Sequence, residues 1–344
     1  MPPHDHPGLD LEAATKWLST RVGLDGALTA TQVAGGRSNL TYVLVDATNR
    51  LVLRRPPLGD LLRGAHDVAR EYRIVDALQG TAVPVPRAIA LCEEPEIIGA
   101  PFSVVTFVDG LTLRTPGDVN ELSAGGRGAL TSNFARTLAE LHAIPPERAG
   151  LPPEKGVDFA ARQLYVWQRQ LEAVPVRSLP TMDELGHRLS ASVPSQRQVS
   201  IVHGDYRLDN VLFNREGETR ALLDWELWTL GDPLADLGAA TAYWTDSTYQ
   251  LAPLGTAPTI LRQLGTREDF VAAYEAAGGL PVDEKQLAWY ASFGMWRFAA
   301  ILEGVYRRNL AGAYGDRPNG NGWERYSFVV PALAEVALQH LLRS

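Results

Sequence analysis

Residues 199–225 constrain the fold of this chain more than any other stretch, because short apolar segments alternate there with polar loops. The alternation predicts strands at 199–203, 211–214 and 221–225, and the polar residues 215–218 fit a hairpin turn between the last two strands. The sequence that follows this stretch has the apolar spacing of helices. A short sheet set into a helical region indicates an α+β fold.

Polar side chains are concentrated where these predicted strands end. His203, Asp205 and Asn210 lie on the loop between the first two strands, and Asp224 falls near the end of the third. Loops between buried strands are positions at which a rigid scaffold holds reactive groups. Two carboxylates and a carboxamide form an oxygen-rich set that suits Mg²⁺, whereas zinc would require additional histidine or cysteine ligands.

The rest of the chain divides into a strand-rich part and a helix-rich part. In the first part, strands are predicted at 32–34, 40–45, 50–55, 88–92 and 102–108, with a helix at 66–78. Beyond it, helices are predicted at 130–142, 159–171, 270–277, 283–310 and 323–342. We therefore predict a β-rich lobe at 1–108 and an α-rich lobe at 109–344, with a cleft between them.

Composition limits the classes of function. Of the 344 residues, 45% are apolar and 21% are charged, which is the usage of a folded globular protein. The net charge of -8 argues against nucleic acid or an anionic membrane as the partner. Cys92 is the only cysteine, which excludes an internal disulfide, and the first residues lack the pattern of a secretion signal. We expect a cytoplasmic protein that acts on small molecules.

The spacing of the polar residues resembles that of a known enzyme group. His-Xaa-Asp, an Asn five residues after that Asp, and a strand-end Asp further on resemble the catalytic core of the protein-kinase-like fold. The Gly-Asp-Pro triplet and the Asp-Leu pair within 231–237 resemble the aminoglycoside phosphotransferase family. Stretches 203–210 and 223–237 are similar to its branch associated with acyl-CoA dehydrogenases. The resemblance extends roughly over residues 30–340, and it implies a bilobal fold with a β-rich N-lobe and a larger α-rich C-lobe.

The resemblance implies roles for the residues near the β island. Asp205 would be the catalytic base that accepts the proton of a substrate hydroxyl, and Asn210 and Asp224 would hold Mg²⁺ against the phosphates of ATP. Arg207 would steady the transferring phosphoryl group. His203 would brace the loop rather than transfer a proton. A further carboxylate, Asp236, would hold this loop in place.

In the N-lobe, the resemblance implies that the loop before the second strand folds over the nucleotide phosphates. Glycines allow close approach of the backbone, although a Gly-Gly pair between strands also fits a plain hairpin turn. The hinge after the last strand would present backbone groups to adenine. The residues assigned to nucleotide binding in these two segments are Gly35, Gly36, Ser38, Asn39, Thr106, Phe107 and Val108.

The third strand supplies the remaining nucleotide contacts. Alternation places Val52 and Arg54 on one face, as a small residue and a lysine are placed in kinases, with arginine here in place of the lysine. Glu71 on the following helix is the expected partner of Arg54. Arg55 competes for this role if the strand register is shifted by one residue; otherwise its replacement should have little effect.

These observations favour an ATP- and Mg²⁺-dependent phosphotransferase that acts on the hydroxyl of a small molecule. A hydroxyacyl-CoA or a related hydroxy acid is the first acceptor class, and an aminoglycoside or another antibiotic is the alternative. A nucleotide-binding pseudokinase-like module is a third possibility, disfavoured because Asp205, Asn210 and Asp224 are all present. A metallohydrolase is disfavoured because the other histidines are scattered.

Overall fold

The computed structural model of the protein describes residues 6–33, 39–58, 67–172, 177–244, 259, 261–310 and 322–343. The chain divides into two compact units. The first unit contains residues 1–110 together with 220–228. The second unit contains residues 111–219 and 229–344. The short segment 220–228 therefore packs with the N-terminal residues, although it follows the loop at 203–210 along the chain.

An antiparallel sheet forms the centre of the first unit, with strand order β1-β2-β3-β5-β4. Its strands are β1 (Thr29–Gln32), β2 (Leu40–Val45), β3 (Arg50–Arg55), β4 (Ala88–Cys92) and β5 (Phe102–Thr106). The predicted bounds of β2, β3 and β4 are confirmed. The first strand was placed too late at 32–34, because Val33 supplied an apolar signal although 43% of its surface is exposed.

One face of this sheet is buried against α1 (Leu11–Ser19). Asp10 caps the helix by accepting a hydrogen bond from the backbone N–H of Ala13 at 2.9 Å. Trp17 packs edge-on against Phe102, with ring centroids 5.0 Å apart. Strand alternation sends Leu51, Leu53 and Arg55 into this interior. Val52 and Arg54 consequently lie on the opposite face.

The second helix, α2 (Val68–Ala77), is held against segment 220–228 within the same unit. The Arg70 guanidinium lies 4.8 Å from the centre of the Trp228 ring and donates to the Trp228 carbonyl. The Trp228 indole in turn donates to the carbonyl of Arg70 at 3.3 Å. These contacts fix the helix that carries Glu71 next to the segment that carries Asp224.

The second unit is built mainly from helices. Its helices are α3 (Ala124–His142), α4 (Phe159–Glu172), α5 (Pro180–Ala191), α6 (Leu234–Thr241), α7 (Arg267–Ala276), α8 (Glu284–Leu310) and α9 (Tyr326–Arg343). A capping box begins α7, since Thr266 and Asp269 exchange hydrogen bonds of 2.8 and 3.1 Å. Within the parts of the chain described above, none of the helices is long and apolar enough to cross a membrane.

Short strands place the loop at 203–210 within this helical unit. They are β6 (Leu111–Thr112), β7 (Ser200–Val202), β8 (Val211–Phe213) and β10 (Thr229–Gly231), with β6 paired to β8 and β7 paired to β10; β9 (Thr219–Leu222) precedes Asp224. Phe134 on α3 stacks on Tyr206 with ring centroids 4.4 Å apart. The loop thus leaves and rejoins a buried core.

Candidate active site

Asp236 anchors the start of the 203–210 loop in the second unit. Its buried carboxylate accepts hydrogen bonds from the backbone N–H groups of His203, at 2.6 Å, and of Gly204, at 2.8 Å. Burial alone would raise the pKa of Asp236, but His142 and the Gly204 N–H lower it overall, so the carboxylate stays charged. The structure therefore places Asp236 where the sequence predicted a carboxylate that holds the loop.

His203 lies inside the same loop. Its ring is fully buried, and Nδ1 accepts a hydrogen bond from the backbone N–H of Asp205 at 3.2 Å. An acceptor Nδ1 defines the tautomer in which Nε2 carries the proton. This contact fits the predicted bracing role, because it fixes the backbone of Asp205.

Asp205 is oriented by two neighbours on the loop. Asn210 donates through Nδ2 to the Asp205 carbonyl at 2.9 Å and to Oδ2 of the Asp205 carboxylate at 2.8 Å. Arg207 Nε lies 3.3 Å from the same Oδ2. About a third of the Asp205 side chain (31%) is exposed. The carboxylate is therefore fixed in direction and remains accessible to a hydroxyl group.

Arg207 also contacts two residues that the sequence did not connect to it. Its Nε lies 3.0 Å from Oδ1 of Asp209, and its side chain hydrogen-bonds to Tyr243. Burial opposes the charge, but Asp205 and the other partners raise the pKa of Arg207 overall. Arg207 is thus a permanent cation next to the carboxylate of Asp205.

The chemistry of the donors fits a magnesium ion. Both hydrogen bonds of the Asn210 amide use its nitrogen, so its carbonyl oxygen is the atom left for a cation. Asp224 keeps 35% of its side chain exposed. Mg²⁺ commonly takes only one or two protein oxygens and completes its octahedron with waters and phosphate oxygens. Asn210 in the second unit and Asp224 in the first unit each carry an oxygen of the type that Mg²⁺ prefers.

Arg54 joins two carboxylates in the first unit. Its Nη2 lies 3.3 Å from Glu71 Oε2 and 3.2 Å from Asp224 Oδ1. The second oxygen of Glu71 accepts a hydrogen bond from Asn39 Nδ2 at 2.8 Å. The structure thus contains the expected Arg54–Glu71 pair, and it adds Asp224 and Asn39 to that pair. The assignment of these residues to nucleotide binding stays a prediction.

The two partners of this pair respond differently to burial. Burial raises the pKa of Glu71 to about 7, although Arg54 opposes the shift. Burial would lower the pKa of Arg54, but Glu71 and Asp224 raise it overall. Arg54 therefore stays charged at every relevant pH, and Glu71 is the partner that titrates, because a guanidinium loses its proton only under extreme conditions.

This difference predicts a pH effect. The pKa of Glu71 lies above its ordinary value of 4.5, so the carboxylate that attracts Arg54 forms only as the pH rises through about 7. Nucleotide binding should weaken below that pH in the wild type and should be flat in Glu71→Gln. As the pH rises from 4.5 to about 7, the wild type should lose stability relative to Glu71→Gln, because the folded state favours the protonated acid. Calorimetric titration of ADP and denaturant unfolding at several pH values test this, and identical profiles for both proteins would contradict it.

Arg55 occupies the other face of β3 and is a structural residue. Its buried guanidinium donates to the carbonyls of Pro56 and Ile98, each at 3.0 Å, and to that of Gly8. The expectation that its replacement has little effect on nucleotide binding stays a prediction, but removal of the side chain would leave these carbonyls without their donor. The phosphate contact cannot belong to Arg55, since its side chain points into the core.

Replacing Arg55 by alanine should therefore act on stability. We expect the free energy of unfolding to fall by roughly 3 kcal/mol, because several hydrogen bonds to a charged group are lost together. Arg54→Ala, one residue earlier on the opposite face, should leave stability closer to wild type and weaken ADP binding. Urea unfolding and calorimetry on both variants check this. Equal stability losses would contradict it.

The other predicted nucleotide contacts are only partly visible. Gly35, Gly36 and Ser38 lie outside the described residues. In the hinge, the N–H groups of Thr106 and Phe107 already donate to the carbonyls of Arg87 and Arg50, at 2.9 Å each. Val108 therefore offers the backbone N–H of this hinge that has no partner among the described residues. Val52 lies half-buried on the same face of β3 as Arg54.

Some residues of the site carry no recognisable sequence signal. Tyr243 and Arg297 reach the 203–210 loop from distant segments, and Arg70 and Trp228 support the Asp224 segment. Each contact joins parts of the chain that are far apart in sequence. A single sequence does not reveal such pairs, because arginine, tyrosine and tryptophan occupy many surface and core positions for other reasons.

Comparison with known proteins decides the family. The family model described as "Phosphotransferase enzyme family" matches residues 29–290. The chain belongs to this phosphotransferase family. The match contains the loop at 203–210 and the segment that carries Asp224, so the predicted aminoglycoside phosphotransferase resemblance is confirmed.

Curated relatives of this chain are named as acyl-CoA dehydrogenase family members. Family member 10 of Mus musculus is 36% identical over 309 residues, which cover 88% of this chain and 28% of the mouse protein. Family member 11 of Homo sapiens is 30% identical over 350 residues, covering 98% of this chain and 44% of the human protein. The chain thus spans less than half the length of these relatives.

Solved structures confirm the predicted protein-kinase-like α+β fold. A candidate aminoglycoside phosphotransferase from Ralstonia eutropha superposes with a TM-score of 0.77 at 30% identity, covering 97% of this chain and 98% of that one. The GDP complex of aminoglycoside 2'-phosphotransferase-IIIa superposes with a TM-score of 0.63 at 17% identity, covering 96% of this chain and 99% of that one. The second likeness concerns the fold alone.

Proposed function

We propose that this phosphotransferase uses ATP and Mg²⁺ to transfer the γ-phosphoryl group to a hydroxyl of a small molecule. The observation that carries the proposal is the fixed, accessible carboxylate of Asp205, held by Asn210 and Arg207 on a loop anchored by Asp236. A general base must point at the proton it accepts, and this orientation supplies that requirement.

The bonds change in a simple displacement. The acceptor oxygen forms a bond to the γ-phosphorus, the bond from that phosphorus to the β,γ-bridging oxygen breaks, and the electron pair leaves with ADP. Asp205 takes the proton of the acceptor hydroxyl. Arg207, a permanent cation beside Asp205, balances negative charge as the phosphoryl group moves. When bound, Mg²⁺ neutralises charge on the phosphates.

The first unit would hold the nucleotide. Arg54 is kept in position by Glu71 and Asp224, and a guanidinium fork suits phosphate oxygens as well as the usual lysine does. Asn39 keeps Glu71 in place, and Val52 would contact the base. Asp224 and Asn210 are the proposed magnesium ligands, on the donor chemistry described above.

Among acceptors we propose a hydroxyacyl-CoA or a related hydroxy acid. Support comes from the relatives, which carry the name of acyl-CoA dehydrogenase family members and match this chain over 88–98% of its length. In these relatives the region that matches this chain belongs to a longer protein named for acyl-CoA dehydrogenase. We expect a phosphotransferase of this kind to act on acyl compounds with a hydroxyl substituent. A pseudokinase role is less well supported, because the base and both proposed metal ligands are present.

A panel of acceptors tests the proposal. ATP consumption and phosphorus NMR of the products should be measured with 3-hydroxyacyl-CoA thioesters, free hydroxy acids, kanamycin, a macrolide and simple sugars, with and without Mg²⁺. We expect Mg²⁺-dependent phosphorylation of the acyl compounds. Turnover of kanamycin alone would overturn the acceptor class. Absence of ATP·Mg²⁺ binding would overturn the kinase assignment.

A further inference from the structure

Arg297 on helix α8 touches the backbone immediately before Asp205. Its Nη2 donates to the carbonyl oxygen of Gly204 at 2.6 Å. The N–H of the same residue is held by Asp236 at 2.8 Å, and Gly204 has a positive φ of 85°. Both polar groups of Gly204 are therefore fixed, one by an anion and the other by a cation. The Arg297 guanidinium is thus hydrogen-bonded to the residue that immediately precedes the proposed base, Asp205.

No acid among the described residues pairs with the guanidinium of Arg297. Among the residues that the structure describes, no carboxylate lies within 4.0 Å of its guanidinium, whereas Arg54, Arg177 and Arg207 all have such partners. The side chain is only partly exposed. A partly buried cation without a counter-anion is costly, and an anionic or strongly polar oxygen from a ligand would offset that cost.

Within the described part of the chain, the Arg297 guanidinium makes one hydrogen bond, to Gly204. It carries five N–H donors in a planar fork, and the hydrogen bond to Gly204 uses one Nη2 donor. The remaining donors suit the two oxygens of a carboxylate or the oxygen of a carbonyl. The carbonyl of Gly204 also holds the fork in one orientation, which lowers the entropy lost when a ligand binds.

The rest of α8 disfavours a polycationic acceptor. After Glu284 at its start, the helix contains one acid, Glu303, which is fully buried and paired with Arg177 at 2.7 Å. Along the helix from Arg297, the partly exposed positions include Phe298, Ile301 and Val305. The accessible part of this helix is therefore apolar and basic, which fits an acyl chain better than an aminoglycoside.

We propose that Arg297 binds the acyl oxygen of the phosphoryl acceptor and so selects hydroxyacyl compounds. The inference rests on the proposed function, because it takes Asp205 as the base. The acyl oxygen belongs either to the carboxylate of a free hydroxy acid or to the carbonyl of a thioester. Binding at Arg297 brings the hydroxyl of either compound to the loop that carries Asp205.

The test is ligand binding to the whole protein in the presence of ADP and Mg²⁺. Saturation-transfer NMR and competition give dissociation constants for a 3-hydroxy acid, its N-acetylcysteamine thioester and the matching 1,3-diol. In the wild type we expect an acyl compound to bind more tightly than the diol. Arg297→Gln should weaken the binding of the acyl compound by about 10- to 100-fold and leave the dissociation constant of the diol unchanged. Arg297→Lys should fall between.

Lys285→Gln is the matched control. It removes one positive charge from the same helix, about 18 Å from Arg297 at 1.5 Å per residue, and should change no dissociation constant. If Arg297→Gln weakens the binding of only the acid or only the thioester, the affected compound identifies the source of the acyl oxygen. Either result supports the proposal. An Arg297→Gln variant that binds the acyl compounds like the wild type overturns it.

Two further outcomes separate the possibilities. If Arg297→Gln weakens the binding of the acyl compound and of the diol equally, Arg297 only holds the loop and the proposal is wrong. The proposal is also wrong if the wild type binds the diol as tightly as both acyl compounds. If acyl binding depends on Arg297 but no phosphorylated product forms, the acyl site stands and the kinase assignment fails.

Discussion

Replacing Asp205 by asparagine should lower turnover by about 10²- to 10⁴-fold while nucleotide binding stays near wild type. The carboxylate is the group that accepts the hydroxyl proton in the proposed reaction, and an amide oxygen is far too weak a base to replace it. The substitution preserves size. The amide oxygen can still accept the hydrogen bond that Asn210 Nδ2 donates at 2.8 Å. Geometry is thus retained while proton acceptance is lost.

Asp209→Asn is the matched control for this variant. It removes one carboxylate from the same loop and from the same arginine, since Asp209 lies 3.0 Å from Arg207 Nε. Because Asp205 remains to hold Arg207, turnover should fall far less than in Asp205→Asn. Steady-state kinetics and calorimetric titration of ADP·Mg²⁺ on both variants provide the comparison. Equal losses of turnover would show that charge near Arg207, rather than a base, is what the reaction needs.

Local patterns predicted much of the first unit. Alternation defined β2, β3 and β4 because one face of each strand is buried, and a period of two then fixes which side chains share a face. That rule placed Arg54 on the face opposite to Arg55. It could not show that the arginine on the inner face, Arg55, has buried backbone carbonyls as partners, since the carbonyls of Gly8 and Ile98 are distant in sequence.

Long-range contacts limited what the sequence could predict about the site. The motif 203–210 indicated the loop, and Asp236 was correctly placed as its anchor. The segment 220–228 packs with the N-terminal residues, and its sequence alone gives no sign of this. Arg297 lies 93 positions after Gly204, and its role depends on the helix turn that faces the loop. Such contacts are set by tertiary packing rather than by local preference.

The backbone at Asp224 shapes the choice of variants for the metal site. Asp224 has φ 62° and ψ 67°, in the left-handed region that few residues other than glycine, asparagine and aspartate adopt readily. Alanine at this position would add a backbone cost of about 1 kcal/mol to the loss of the carboxylate. Asparagine tolerates the conformation and removes only the charge, so it isolates the electrostatic contribution of Asp224 to metal binding.

Asp224→Asn should therefore abolish most of the affinity that Mg²⁺ adds to nucleotide binding, while affinity in the absence of Mg²⁺ changes little. A carboxylate binds Mg²⁺ far better than a neutral amide oxygen, and Arg54 keeps Glu71 as its partner when the charge of Asp224 is lost. Glu226→Gln is the control, because it removes a carboxylate from the same segment and leaves the side chain of Asp224 unchanged. Titration of ADP with and without Mg²⁺ measures the gain in each protein. If Asp224→Asn retains the full gain, or if Glu226→Gln loses as much of it, Asp224 is not the magnesium ligand.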